Sequence, residues 1–141
     1  MASELVTLIR LAKLQLDEKR KVLAAIIAEE DRVKAQRAAL LNKLEEEKKN
    51  TAKDFEAELS RGNFIKATFK KRDQLDAQLK QLEQVIAAAQ DEVAKAFEEV
   101  KRYEIAEEAR RRREAKEQQR RETKALDEVG STRHQRDRSD Q

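Results

Sequence analysis

The side chains best placed to do chemistry in this sequence are four consecutive arginines, Arg110 to Arg113, followed by Lys116, Arg120, Arg121 and Lys124. Against Glu114, Glu117 and Glu122, the stretch from Arg110 to Lys124 holds eight positive and three negative side chains. On a helix, four consecutive arginines cover every face, so some must point away from any pairing partner. A basic helix can bind nucleic acid, anionic lipid or an acidic protein surface. No aromatic residue lies within the cluster to stack on bases, and acidic residues punctuate it. The opposite helical face lacks the Trp, Phe or Leu that would enter lipid. An acidic protein groove is therefore the favoured partner, with a merely solvated helix as the bland alternative. A nucleic-acid-binding helix using Arg110 to Arg113 is the runner-up.

Catalytic chemistry finds no support. The single histidine, His134, sits in a polar stretch with no carboxylate arranged to fix its tautomer, and reads as solvated. Carboxylates such as Glu45-Glu46-Glu47, Glu98-Glu99 and Asp127-Glu128 stand among basic residues on solvent-facing positions and read as solvated helix surface. The two glycines of the chain are too few to build a calcium loop or a phosphate-binding loop. With no Cys and one His there is no zinc-ligand pattern either. The sequence predicts no enzyme, no cofactor and no metal.

The elements that must position the basic cluster are long helices. At 141 residues the chain suits one domain, yet 43% charged residues, 4% aromatic residues, two Gly and no Pro do not describe a globular core. Basic and acidic residues number 32 and 29, so the charges nearly cancel to +3. Interspersed opposite charges argue for helix over disorder through pairs one turn apart: Asp17 with Lys21, Glu30 with Lys34, Glu45 with Lys49, Asp91 with Lys95.

Alternate steps of four and three from Leu5 meet Ile9, Ala12, Leu16, Leu23, Ile26, Val33, Leu40 and Leu44, broken by Lys19, Glu30 and Arg37. Phe55 and Leu59 carry an apolar face onward. The same stepping meets Leu75, Leu79, Leu82, Ile86, Ala89, Val93, Ala96, Val100 and Tyr103 without one charge. This is the 3.5-residue period of a coiled-coil seam.

Between the halves lies Ser60-Arg61-Gly62-Asn63, where Gly62 could close one helix and Asn63 cap the next. The prediction is an all-α fold, a long antiparallel two-helix coiled-coil hairpin over residues 1–129. Its helices run from about 3 to 60 and about 64 to 129, with the turn at 61–63. Facing residue numbers would then add to about 124, setting Leu23 near Val100, Leu40 near Val85 and Ile86, and the stem of Arg37 across Ala87 to Ala89. Gly130 would stop the second helix, leaving 130–141 as a disordered polar tail. One continuous helix that dimerises is the alternative, with Gly62 inside it at a cost of about 1 kcal/mol.

The absence of Cys fits a reducing compartment. No apolar run approaches the roughly 18 residues needed to cross a bilayer, and Met1 to Arg10 lacks signal-peptide character. Aromatic crowding marks the expected turn, where Phe55, Phe64, Ile65 and Phe69 fall close together. They either cap the end of the coil or form an apolar docking patch.

Both ends of the chain resemble one family. Leu8-Ile9-Arg10-Leu11-Ala12-Lys13-Leu14-Gln15-Leu16-Asp17-Glu18-Lys19-Arg20-Lys21 looks like the opening helix of the FliJ family of bacterial flagellar export proteins. The stretch from Tyr103 through the arginines to Leu126-Asp127-Glu128 is similar to that family's basic C-terminal arm. The resemblance implies a cytoplasmic, non-catalytic stalk component of the flagellar type III export apparatus, peripheral to the inner membrane at the basal body through its partners. The implied partners are a hexameric export ATPase, which the joined chain ends enter and stimulate, the cytoplasmic domain of the membrane export gate, and export chaperones.

Carried onto this sequence, the ATPase-facing end would comprise Arg10, Lys13, Arg20, Arg110, Arg111, Arg112, Arg113, Lys116, Arg120 and Arg121. The gate-facing surface would comprise Phe64, Ile65 and Phe69. The expected particle is a monomeric hairpin that binds no nucleic acid, and a generic coiled-coil scaffold is the competing interaction-protein reading.

Overall fold

A computed structural model describes residues 2–50 and 54–140. Its elements are two helices, α1 (Ala2–Lys49) and α2 (Phe55–Ser139). Each is terminated by identifiable chemistry. Glu4 lies in the first turn of α1 and Lys48 and Lys49 in its last, the arrangement that suits the helix dipole. The Asn50 N–H then donates to the Glu47 carbonyl at 3.2 Å, tightening the final turn. Asp54 caps α2: its Oδ1 accepts from the Ala57 N–H at 2.7 Å, and Glu56 and Glu58 follow in the first turn.

The helices pack against each other as an antiparallel coiled-coil hairpin, and the chain divides into two compact units. One comprises Leu14–Phe97. Within it the direction of pairing is fixed by two ion pairs between the helices: Lys19 Nζ to Glu92 Oε2 at 3.5 Å, and Arg37 Nε to Asp76 Oδ1 at 2.6 Å. The lower number takes the higher partner, so the strands of the coil run oppositely. Leu16, Val33, Leu44 and Leu75 are buried at the seam, and Val33 has no exposed surface at all. Leu23, Ile26 and Leu40 from α1, and Leu79, Leu82, Ile86, Ala89, Val93 and Ala96 from α2, are half-buried at the spacing the sequence prescribes.

The second unit joins Met1–Lys13 to Glu98–Gln141. Ala12 and Val100 are its buried apolar residues, flanked by half-buried Leu5, Ile9 and Tyr103. Beyond Tyr103 the inward positions of α2 become polar. Glu107 is buried at 6% exposure and Arg110 is half-buried; every described residue from Gln118 onward is exposed.

Three expectations about the chain's course are corrected. Residues 61–63 do not form the turn: they lie inside α2, Gly62 has no positive φ, and the reversal falls between Lys49 and Phe55, where 51–53 lie outside the described residues. Asp54 supplies a capped start that Gly62 does not, and an exposed glycine inside a helix costs only about 1 kcal/mol. Facing numbers consequently add to about 112, so Arg37 meets Asp76 instead of Ala87 to Ala89. Phe55 and Leu59 do not extend the seam of the first helix; they open α2 and stand 77% and 57% exposed. Finally, Gly130 does not stop α2, and residues 130–139 are helical rather than a disordered tail.

Candidate partner-binding surfaces

The arginine cluster lies wholly in the unit that joins Met1–Lys13 to Glu98–Gln141, and it is far less free than its charge suggests. Arg110 makes two bonds to Glu107, Nη2 to Oε1 at 2.9 Å and Nε to Oε2 at 3.1 Å, and a third through Nη1 to Glu114 Oε2 at 2.8 Å. Arg111 Nε donates to the same Glu107 Oε1 at 3.2 Å, and Arg112 Nη2 to Glu108 Oε1 at 2.8 Å. More than two turns on, Arg120 donates to Glu117 at 2.9 Å, with Arg121 paired to the same carboxylate at 3.5 Å. Each joins residues three or four apart along the helix.

The carboxylates feel this directly. Hydrogen bonding to Arg110 holds the Glu107 carboxyl below its ordinary range despite opposition from its burial, and Arg120 does the same for Glu117. Arg110 is in turn held more firmly protonated by Glu107 and Glu114. Within the Arg110–Lys124 cluster, Arg113, Lys116 and Lys124 have no ion partner among the described residues, and all three are exposed. Leu126 and Val129, one turn apart, are 72% and 58% exposed on the same stretch of α2.

Of the residues expected at the ATPase-facing end, Arg10 and Lys13 belong to the same compact unit as Arg110, Arg111, Arg112, Arg113, Lys116, Arg120 and Arg121. Arg20 belongs to the other unit, where it lies 4.0 Å from Asp17.

The expected gate-facing residues are all near the start of α2. Phe64 and Ile65 are half-buried. Phe69 presents its ring to two cations, Arg72 Cζ at 4.7 Å and Lys48 Nζ at 5.9 Å, which partly cover it. Thr68 is buried beside them and satisfies its hydroxyl on the Phe64 carbonyl at 2.8 Å. The more exposed apolar surface here is Phe55 with Leu59, four residues apart on one face. Its signal in the sequence is Asp54, whose role as a cap makes Phe55 the first residue of a new helix.

Among the described residues no group of three or more His, Asp or Glu could hold a metal ion, and no helix is long and apolar enough to cross a membrane. No curated protein and no solved structure matches the chain. Residues 1–139 do match the family described as Flagellar FliJ protein, nearly the whole length of the sequence. Two long antiparallel helices, a heptad seam and an arginine cluster on the second helix thus belong to a member of the FliJ family, a coiled-coil component of the flagellar export apparatus.

Proposed function

We propose that this chain is the non-catalytic stalk of a flagellar type III export ATPase, entering the hexameric ring with its paired ends and stimulating hydrolysis there. The observation that carries the reading is the exposed length of α2 from Gln118 to Ser139, in the unit that also holds Met1–Lys13. Helices in proteins draw most of their stability from tertiary packing, and none of the described residues in this length is buried. Here it bears uncovered Leu126 and Val129 beside Lys124, which has no ion partner among the described residues, a surface suited to a channel that is apolar at its wall and acidic at its rim.

The start of α2 is the surface proposed to face the cytoplasmic domain of the export gate, through Phe64, Ile65 and Phe69 and the more exposed Phe55 and Leu59. Export chaperones are further proposed partners. Work at these surfaces places the chain at the cytoplasmic side of the basal body, held near the membrane by its partners alone. The effect on turnover is exerted on another protein's active site, which agrees with the FliJ family's non-catalytic place in the export machinery.

The test is hydrolysis by the cognate ATPase with and without the purified chain. The reading expects stimulation that weakens as salt screens the basic end. No stimulation at micromolar chain in low salt contradicts it.

A further inference from the structure

The outer face of α2 within the Leu14–Phe97 unit carries a charge pattern that the coiled-coil seam does not require. Three adjacent rows of residues run along it at seven-residue spacing. The first is Lys70, Ala77, Gln84 and Asp91; the second is Lys71, Gln78, Val85 and Glu92. Between them runs Gln74, Gln81 and Ala88. Every one of these residues is exposed. In a chain that is 43% charged, each outer row reads basic, neutral, neutral, acidic, and the middle row has no charge at all.

That order is complementary to itself reversed. A two-fold axis at Gln81, perpendicular to the helix, brings each outer row against its own copy running the other way. Lys70 then meets Asp91 of the other copy and Lys71 meets Glu92, while Ala77 lies opposite Gln84, Gln78 opposite Val85 and Gln74 opposite Ala88. Gln81 meets itself, and an amide can both donate to and accept from its twin. The parallel alternative sets lysine on lysine and carboxylate on carboxylate, which repels. Lys70, Lys71 and Asp91 make no ion pair with another described residue, so these charges are available; Glu92 is shared with Lys19 at 3.5 Å and Lys95 at 3.7 Å.

From this self-complementarity we infer that the 70–92 face of α2 is an antiparallel homodimer interface whose occupant is a second copy of this chain. The contact covers about six helical turns, roughly 33 Å. Val85 is its one large apolar side chain, so the association is weak, on the order of tens to hundreds of micromolar. It does not depend on the stalk reading, since no residue proposed to contact the ATPase takes part.

Sedimentation equilibrium of the full chain tests it. The mean mass should rise from 16.4 kDa at low micromolar concentration toward twice that value near millimolar. Gln81→Glu, which sets one carboxylate against its twin across the axis, should hold the chain at monomer mass. Lys70→Asp and Asp91→Lys should each weaken the dimer about tenfold, and the double variant should restore it because the complementarity is merely inverted. Circular dichroism confirms that each variant keeps its helix. A constant 16.4 kDa at all concentrations overturns the inference. So does a dimer indifferent to Gln81→Glu, or a double variant no better than the singles.

Discussion

Arg37 donates through Nε to Asp76 Oδ1 at 2.6 Å, and this one bond between the helices both closes a gap in the seam of α1 and fixes the register of the coil. Both side chains are partly exposed, at 37% and 45%, so the pair specifies alignment more than it stabilises. In a double-mutant cycle of Arg37→Ala and Asp76→Ala, chemical denaturation should give a coupling of about 0.5 kcal/mol. Exchanging the two charges should recover most of the stability. Zero coupling together with a charge exchange that recovers no stability would mean that these residues do not face one another.

Gly62 is the sharpest test of where the chain reverses. It lies inside α2, and a Cβ built on it would meet nothing within 4 Å. Gly62→Ala should therefore stabilise the protein by about 0.5–1 kcal/mol, as an exposed helix interior demands. Were Gly62 the left-handed close of a helix, the same substitution would destabilise. Thermal melting of the two proteins distinguishes the signs.

The difference between these outcomes separates what was legible in the sequence from what was not. The seam was readable almost residue by residue, because a heptad spacing of Leu, Ile, Val and Ala has only one inward face. The register was not, since it depends on where the chain turns, and moving that point by n residues moves every facing partner by 2n. Gly62 drew the turn to itself, whereas the decisive residue was Asp54, whose carboxylate caps α2. Charge pairing was similarly only half legible. Glu30 reaches Lys34 at 3.2 Å as spacing implies, but Lys21 pairs with Glu18, Lys48 with Glu45 and Lys95 with Glu92, each three residues away. Several partners were in reach, and rotamers decided among them. In the arginine cluster, composition revealed the excess charge but not its distribution. Glu107 and Glu117 each hold two arginines and Glu108 holds Arg112, leaving Arg113, Lys116 and Lys124 without an ion partner among the described residues.

Stability should follow the seam and ignore the outer apolar residues. Leu44 is 2% exposed and Leu14 is 56% exposed. Leu44→Ala should cost about 2–3 kcal/mol through lost burial and the cavity left behind. Leu14→Ala should change stability by less than about 0.5 kcal/mol. Urea titrations of both variants test the contrast, and equal losses would place the buried face wrongly.

Acid should loosen the polar end of the seam in a defined direction. Hydrogen bonds from Arg110, with help from Arg111, depress the Glu107 carboxyl in the folded chain. A depressed folded pKa means that the ionised pairing contributes fully above the unfolded value near 4.5 and is lost as pH falls through the folded one. Glu29 and Glu117 shift in the same direction. Glu107→Gln should thus lower the melting temperature at neutral pH, and the gap from the parent should narrow as pH falls below the unfolded value near 4.5. A gap that stays constant with pH would exclude this origin.

The stalk reading is tested most directly by site-specific photo-crosslinking in the presence of the cognate export ATPase. A crosslinker replacing Lys124, on the exposed length of α2, should capture the ATPase and lose that product in high salt. One replacing Gln81 should not capture it. Capture from position 81 but not from 124, or no ATPase product from either position while the two proteins are co-assembled, would contradict the claim that the chain enters the ring by its paired ends.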